Sequence, residues 1–261
     1  MTDAFILERQ GAVLTIRFNR PDRLNAFRRA EYTGFHQLLG EVELDDEVAV
    51  VVLTGAGRGF CAGEDLKELD ATPADAPART GATILQDITR RIALGRHVYV
   101  AAVNGVAAGF GAELACACDI RVAATEARFL FPEVRRGLFV TNGISFILPQ
   151  LVGGSWARQL LLTGEPIDAD TAQRIGLVTQ VVEGAALERV AGELAARIAG
   201  LAPTAVRLTK RILLGNEQPL ERALETELDY LDACIASGEH LEGARAFVEK
   251  RPPNFRRTSH E

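Results

Sequence analysis

Two glutamates stand out because each lies in otherwise apolar sequence. Glu113 follows the glycine-rich stretch 107–112, and Glu133 follows Phe-Leu-Phe-Pro at 129–132. Carboxylates are seldom buried unless they are paired or used, and burial beside a second carboxylate raises at least one pKa toward neutrality. Such a group can act as a general acid or base. Either glutamate alone is equally compatible with an exposed loop or a helix end, and the sequence by itself does not bring the two together.

Two glycine-containing turns could supply backbone donors for related chemistry. Ala62-Gly63-Glu64 comes after the apolar run 48–54, and Gly109-Phe110-Gly111 comes after the apolar run 98–104. Each turn precedes a predicted helix, whose first N–H groups are unpaired and carry the positive end of the helix dipole. Two such ends directed at one point would form an oxyanion hole for an enolate.

Other common catalytic patterns are missing from the sequence. The loop Gly-Ala-Gly-Arg-Gly at 55–59 has neither the GxGxxG spacing of a dinucleotide site nor the GK[ST] ending of a P-loop, so a tight turn is favoured. The four serines lie outside any GxSxG motif, the four histidines form no HExxH, and the four cysteines form no CxxC pair. We therefore expect neither a serine hydrolase nor a metal site.

The composition is that of an ordinary globular chain, with 261 residues, 48% hydrophobic and 25% charged. The net charge of −6 and the lack of a basic run along the body argue against a nucleic-acid partner. The first four residues do not resemble a signal peptide, and the uncharged stretch 138–157 contains too many polar residues for a good membrane span. We expect a cytoplasmic protein that binds neither nucleic acid nor membrane.

The hydrophobic pattern predicts an α/β protein followed by helices. Apolar alternation or apolar runs predict strands, and helical spacing predicts helices between them. The predicted strands are 13–18, 48–53, 98–103 and 120–123, and the predicted helices are 26–42, 80–94 and 109–117. Beyond residue 182 the pattern predicts only helices, over 185–201, 204–214, 220–236 and 239–250, and 70–78 is predicted as an exposed loop. We expect a core over 1–183 and a helical oligomerisation region over 184–261, whose apolar stripes are buried on that core or on another subunit.

Several motifs in order resemble the crotonase (enoyl-CoA hydratase/isomerase) superfamily over nearly the whole chain. They are Asn-Arg-Pro at 19–21, Leu-Asn-Ala at 24–26, Gly-Arg-Gly-Phe-Cys-Ala-Gly-Glu-Asp-Leu-Lys at 57–67, Val-Asn-Gly-Val-Ala-Ala-Gly-Phe-Gly-Ala-Glu-Leu at 103–114, Cys-Asp-Ile-Arg at 118–121, Phe-Pro-Glu at 131–133, Leu-Thr-Gly at 162–164, and Ala172 followed by Gly-Leu-Val at 176–178. The resemblance implies a crotonase-like spiral of ββα turns with a C-terminal helical trimerisation region, and hence a homotrimer or homohexamer.

The resemblance also implies site residues and an activity. Glu64 and Phe110 match the two oxyanion N–H donors, and Glu113 and Glu133 match the two catalytic glutamates of enoyl-CoA hydratases. The expected substrate-binding residues are Ala62, Gly63, Glu64, Asp65, Leu66, Lys67, Gly109, Phe110, Phe131 and Thr141. The implied reaction is syn addition of water to a 2-enoyl-CoA, with coenzyme A as part of the substrate and with neither cofactor nor metal. Two alternatives stay open: a double-bond isomerase that uses Glu133, and a non-catalytic acyl-CoA-binding subunit.

The chain departs from typical hydratases around the expected acyl pocket. Leu130 and Phe131 replace a small stretch with glycine and glutamine, and Val-Thr-Asn-Gly-Ile-Ser-Phe-Ile at 140–147 replaces a glycine-rich turn. Phe131, Phe139 and Phe146 are expected to narrow or reshape the pocket. Phe110 replaces a common glycine, which leaves the N–H in place and adds bulk.

Overall fold

The apolar runs of the sequence form the centre of a six-stranded sheet. The computed structural model describes residues 3–65, 78–136, 138–213, 249–251 and 254. Over these residues the strands are β1 (Phe5–Gln10), β2 (Val13–Phe18), β3 (Val50–Gly55), β4 (Gly59–Cys61), β5 (Val98–Val103), β6 (Val106–Ala108), β7 (Ile120–Ala124), β8 (Arg128–Leu130), β9 (Ile167–Asp168) and β10 (Gln180–Val182). The helices are α1 (Arg29–Leu44), α2 (Ala78–Leu94), α3 (Phe110–Ala117), α4 (Ile144–Thr163), α5 (Ala169–Arg174), α6 (Leu187–Ala199) and α7 (Pro203–Leu213).

The strands alternate between two sheets as the chain advances. The large sheet has the order β1-β2-β3-β5-β7-β10, with only the β1–β2 pair antiparallel, and the small sheet has the order β4-β6-β8-β9. Each of the pairs β3 and β4, β5 and β6, and β7 and β8 therefore places one strand in each sheet before a helix follows. This repeat is the crotonase-like spiral of ββα turns, which confirms the expected fold.

The central strands are apolar because helices cover both faces of the large sheet. Every residue of β3 and β5 is buried, as expected for parallel strands of β-branched character. On one face, Leu187, Ala191 and Ala195 of α6 pack into the same cluster as the valines of β3, β5 and β7. The apolar stripe of α6 is thus buried on the chain's own core. The division at residue 184 stays a prediction.

Most of the predicted elements are confirmed, with shifted ends. The helix predicted from residue 26 begins only at Arg29, because Phe27 forms a parallel β-bridge with Glu64. Six of the described strands and two of the described helices were not predicted. The strands β4, β6, β8, β9 and β10 have only two or three residues, too few to show a period. The strand β1 and the helices α4 and α5 were also missed. The predicted helix 220–236 lies outside the described residues, as do residues 70–77 of the predicted loop and 239–248 of the last predicted helix. None of the described helices is long and apolar enough to cross a bilayer.

Candidate active site

The helix α3 carries Glu113 into the protein core. All eight residues of α3 are buried, and the Glu113 N–H donates to the carbonyl of Gly109, the residue that precedes the helix. Since Glu113 lies in the first turn, its carboxylate lies near the positive end of the helix dipole. Glu113 is only 2% exposed, so the sequence argument from its apolar surroundings is confirmed for this residue.

The loop 62–65 brings a second backbone N–H group to the start of α3. Phe27 N–H donates to the Gly63 carbonyl, and Asp65 N–H donates to the Phe27 carbonyl, both at 2.8 Å. In an extended segment the intervening N–H of Glu64 is directed to the opposite side. Gly63 has φ +87°, and a Cβ built there would lie 2.6 Å from the carbonyl oxygen of Ala108. Only glycine therefore permits this close approach.

The same contact places the two expected oxyanion donors side by side. A Cβ at Gly63 would lie 3.4 Å from the backbone nitrogen of Phe110. Phe110 is the first residue of α3, so its N–H has no acceptor within the helix. The segment that carries Glu64 and the start of α3 at Phe110 are thus in van der Waals contact. That the two N–H groups point to one position, as an oxyanion hole requires, stays a prediction.

Glu133 lies beside the same helix start. It begins the 3₁₀ turn Glu133–Arg136 and is half-buried. A Cβ built on Gly109 would lie 3.1 Å from Glu133 Oε1, so this carboxylate packs directly against the residue that precedes the Phe110 N–H. The structure therefore brings the two glutamates and the two N–H groups to one end of α3.

The environment of Glu113 raises the pKa of its carboxyl group to about 7. Burial is the main cause, and the negative charge of Glu133 adds to it. Two hydrogen bonds act in the opposite direction: Asn142 Nδ2 donates to Glu113 Oε2, and the backbone of Thr141 also donates to the carboxylate. A carboxyl group with a pKa near neutrality can hold or release a proton at physiological pH, as general acid–base catalysis requires.

The other predicted substrate-binding residues fall into three groups. Ala62, Gly109 and Thr141 adjoin the features just described. The Asp65 carboxylate forms an ion pair with Arg20, with 3.1 Å between Arg20 Nη2 and Asp65 Oδ2. Leu66 and Lys67 lie outside the described residues.

The phenylalanines do not all lie where the sequence suggested. Phe131 is 1% exposed and belongs to the core, whereas Phe139 is 79% exposed and Phe146 is 46% exposed. Over the described residues, therefore, Phe139 is a surface side chain and does not narrow an internal pocket. The bulk of Phe110 is buried with Phe27 and Tyr32, at 5.4 and 4.9 Å between ring centroids.

The sequence analysis placed Asn142 only within the stretch 140–147 around the expected acyl pocket, and the structure places its side chain on Glu113. The two residues are 29 positions apart, and no local pattern links them. No three potential metal-ligating side chains cluster within the described part of the chain.

Comparison with known proteins agrees with this geometry. The sequence model of the family described as enoyl-CoA hydratase/isomerase matches residues 8–258. The chain belongs to the enoyl-CoA hydratase/isomerase family. Within this family it is 39% identical to the short-chain-enoyl-CoA hydratase of Clostridium acetobutylicum, over 94% of this chain and 95% of that protein. It is 36% identical to the 1,2-epoxyphenylacetyl-CoA isomerase of Escherichia coli, over 96% and 98% of the two chains.

A solved structure supports the fold of this family member. The enoyl-CoA hydratase from Bacillus anthracis superposes with a TM-score of 0.93 at 33% sequence identity, covering 97% of this chain and 99% of that one. The relatives thus include both hydratases and an isomerase, so family membership alone does not choose between these two reactions.

Proposed function

We propose that the protein is an enoyl-CoA hydratase that adds water across the 2,3 double bond of a 2-enoyl-CoA thioester. The observation that carries the proposal is the convergence of Glu113, Glu133 and the N–H groups of Glu64 and Phe110 at the start of α3. Hydration needs an acceptor for a proton of water, a donor for Cα and stabilisation of an enolate. These four groups can supply all three.

The steps follow from the positions of the groups. The thioester carbonyl lies between the N–H groups of Glu64 and Phe110, which stabilise the enolate oxygen. The Glu113 carboxylate removes a proton from water as the new O–Cβ bond forms, and the π electrons move into the enolate. Glu133 then gives its proton to Cα. Loss of one oxyanion donor typically costs about 3 kcal/mol of transition-state stabilisation.

The protonation states that this mechanism needs are compatible with the electrostatics of the pair. Glu113 must be ionised and Glu133 protonated before water attacks, so the two carboxyl groups share one proton. Because the negative charge of Glu133 raises the pKa of Glu113, ionisation of both groups at once is disfavoured, which favours states in which the pair keeps one proton.

Double-bond isomerisation is the second candidate, and the family description, which names enoyl-CoA hydratase and isomerase together, is the observation that favours it. A proton shuttle by Glu133 over the same oxyanion hole would need no water and no ionised Glu113. A non-catalytic acyl-CoA-binding role is disfavoured, because a buried carboxylate such as Glu113 lowers stability and binding alone does not need it.

The deciding experiment follows the loss of the conjugated enoyl thioester absorbance with crotonyl-CoA. We expect turnover by the wild type and a loss of about 10²–10⁴-fold for Glu133→Gln and for Glu113→Gln. Glu41→Gln, on the exposed face of α1, is the matched control and should keep full activity. In D₂O, hydration yields a hydroxyl product with deuterium at Cα, whereas isomerisation changes the mass only by exchange.

A lack of hydration by the wild type counts against the proposal only when thioesters with several kinds of acyl group have been tested. Branched and aromatic 2-enoyl thioesters are therefore tested with crotonyl-CoA. Isomerised product without any hydroxyl product, from every thioester, would replace hydratase by isomerase.

The proposal also covers the oligomeric state and the cellular location of the protein. We propose a homotrimer or homohexamer in the cytoplasm, as the family resemblance implies. The exposed apolar side chains of Phe139, Trp156 and Leu162 are compatible with subunit contacts. Light scattering coupled to size-exclusion chromatography would measure the number of subunits.

A further inference from the structure

Over the described part of the chain, several buried oxygen atoms of the candidate site lack a hydrogen-bond partner, and two of them belong to one contacting pair of side chains. These two are Glu113 Oε1 and Asn142 Oδ1, and neither finds a donor among the described residues. Both side chains are 2% exposed. Buried polar atoms are nearly always paired, so each exception calls for an explanation, and a ligand that donates hydrogen bonds is one.

The two atoms belong to groups that are joined to each other. Asn142 Nδ2 donates to Glu113 Oε2, so one atom of the carboxamide contacts one atom of the carboxylate. The remaining atom of each planar group is an acceptor. This contacting pair therefore offers two acceptors that have no donor among the described residues, and a water molecule carries two hydrogens to donate.

The backbone holds Asn142 firmly in this position. Asn142 precedes Gly143, the residue with φ +71° that precedes α4, and it follows Thr141, whose backbone also donates to Glu113. On the outside of the same loop, Gln86 Nε2 donates to the Thr141 carbonyl at 3.1 Å. The residue before Asn142 is thus held by contacts with both Glu113 and Gln86.

We propose that Asn142 binds the nucleophilic water together with Glu113 and also positions the Glu113 carboxylate. The inference rests on the proposed hydratase function and deepens it. Asn142 Oδ1 accepts one hydrogen of the water and Glu113 Oε1 accepts the other, which leaves a lone pair of the water oxygen for Cβ. Asn142 Nδ2 meanwhile keeps Glu113 Oε2 in place.

The reaction then balances without any further reactant. The O–H bond directed at Glu113 Oε1 breaks, its proton moves to Glu113, and the oxygen bonds to Cβ. The hydrogen held by Asn142 Oδ1 stays on the oxygen and becomes the hydrogen of the product hydroxyl. The Cα–Cβ π pair forms the enolate, and Cα takes the proton of Glu133.

The test compares two reactions that differ in their need for water as a nucleophile. The first is hydration of the 2-enoyl thioester. The second is deuterium exchange at Cα of the saturated butyryl-CoA in D₂O, which uses the oxyanion hole and Glu133 only. We expect Asn142→Ala to slow hydration by about 100-fold, the scale of a lost catalytic hydrogen bond, and to change the exchange rate by less than about threefold.

The pH dependence separates positioning of Glu113 from general loss of structure. Because the Asn142 hydrogen bond lowers the pKa of Glu113, its removal should move the acid limb of the hydration profile to higher pH. The Glu113 carboxyl resonance, followed by ¹³C NMR, should show the same shift without any turnover. Asn142→Asp keeps an oxygen that can accept a hydrogen of the water. At pH values above the acid limbs of both variants, it should therefore catalyse hydration faster than Asn142→Ala.

Gln86→Ala is the matched control, since it removes a carboxamide of α2 that contacts the same loop at Thr141 without touching Glu113. Equal losses in the Gln86 and Asn142 variants would mean that only loop support matters, and this result would overturn the inference. Unchanged hydration in Asn142→Ala would overturn it while leaving the hydratase proposal intact. If the wild type catalyses exchange but hydrates no thioester, both the hydratase proposal and the inference fail.

Discussion

The Glu113 carboxyl group should make the folded protein less stable as the pH rises from 4.5 toward 7. Its pKa is raised from 4.5 to about 7 in the folded state. Between these values the folded protein holds a proton that the unfolded chain has released, so stability falls with rising pH. Each pH unit corresponds to about 1.4 kcal/mol, and the full penalty above neutral pH is therefore about 3 kcal/mol.

Replacement of the acid by its amide removes this penalty. Relative to the wild type, Glu113→Gln should gain only about 1 kcal/mol of unfolding free energy near pH 5 and about 3 kcal/mol near pH 8. The introduced amide keeps an oxygen that can accept from Asn142 Nδ2, so the packing is largely conserved. The assay is urea unfolding of both proteins at the two pH values, at equal protein concentration because subunit association also affects apparent stability.

The control for this comparison is again Glu41→Gln, which makes the same change from acid to amide at an exposed position of α1. A constant difference between the wild type and Glu113→Gln at both pH values would refute the reasoning. It would mean that Glu113 is ionised in the folded protein at pH 5, and that burial and the charge of Glu133 do not raise its pKa.

Three further predictions concern the elements that hold the site. Gly63→Ala should lower kcat by about 10²–10³-fold, because a Cβ would displace one oxyanion donor; Gly192→Ala, where a Cβ meets no atom within 4 Å, should leave kcat unchanged. Phe110→Ala should lower the unfolding free energy by about 3–5 kcal/mol, as a lost core aromatic does, yet lower kcat less than Gly63→Ala because the backbone N–H remains. Lys210→Met should lower the unfolding free energy by about 3–5 kcal/mol. In the wild type the Lys210 ammonium lies 2.9 Å from the Asp119 carboxylate, which loses this partner in the variant. The unfolding free energies are measured by urea unfolding of each variant.

Several long apolar elements of the fold could be predicted from the sequence, whereas the 20-residue helix α4 and the strand β1 were missed. The strand β5 matches its predicted bounds, and α3 begins one residue after its predicted start. Such segments carry enough residues to show a period or a continuous apolar run. The strands of the small sheet carry only two or three residues each, so only tertiary contacts identify them.

In the candidate site, too, some residues could be found from the sequence and others could not. Glu113 and Glu133 could be found because a charge in apolar sequence is conspicuous, and Gly63 and Gly109 because they mark turns after buried strands. Asn142 could not be found, since its role depends on a contact across 29 residues of sequence. The exposure of Phe139 was missed for a related reason: an aromatic residue in a loop has no periodic neighbours that would show which way it faces.

The position of Asn142 resolves a conflict within the mechanism. Burial and the neighbouring charge of Glu133 raise the pKa of Glu113, which favours a protonated group that cannot accept a proton from water. Donors from Asn142 and from the Thr141 backbone lower that pKa again, and the balance lies near 7. The backbone donor survives any substitution at these positions except proline, whereas the carboxamide is a property of residue 142 alone. Residue 142 is therefore where a single substitution can change the working pH of the site without altering either glutamate or the oxyanion hole.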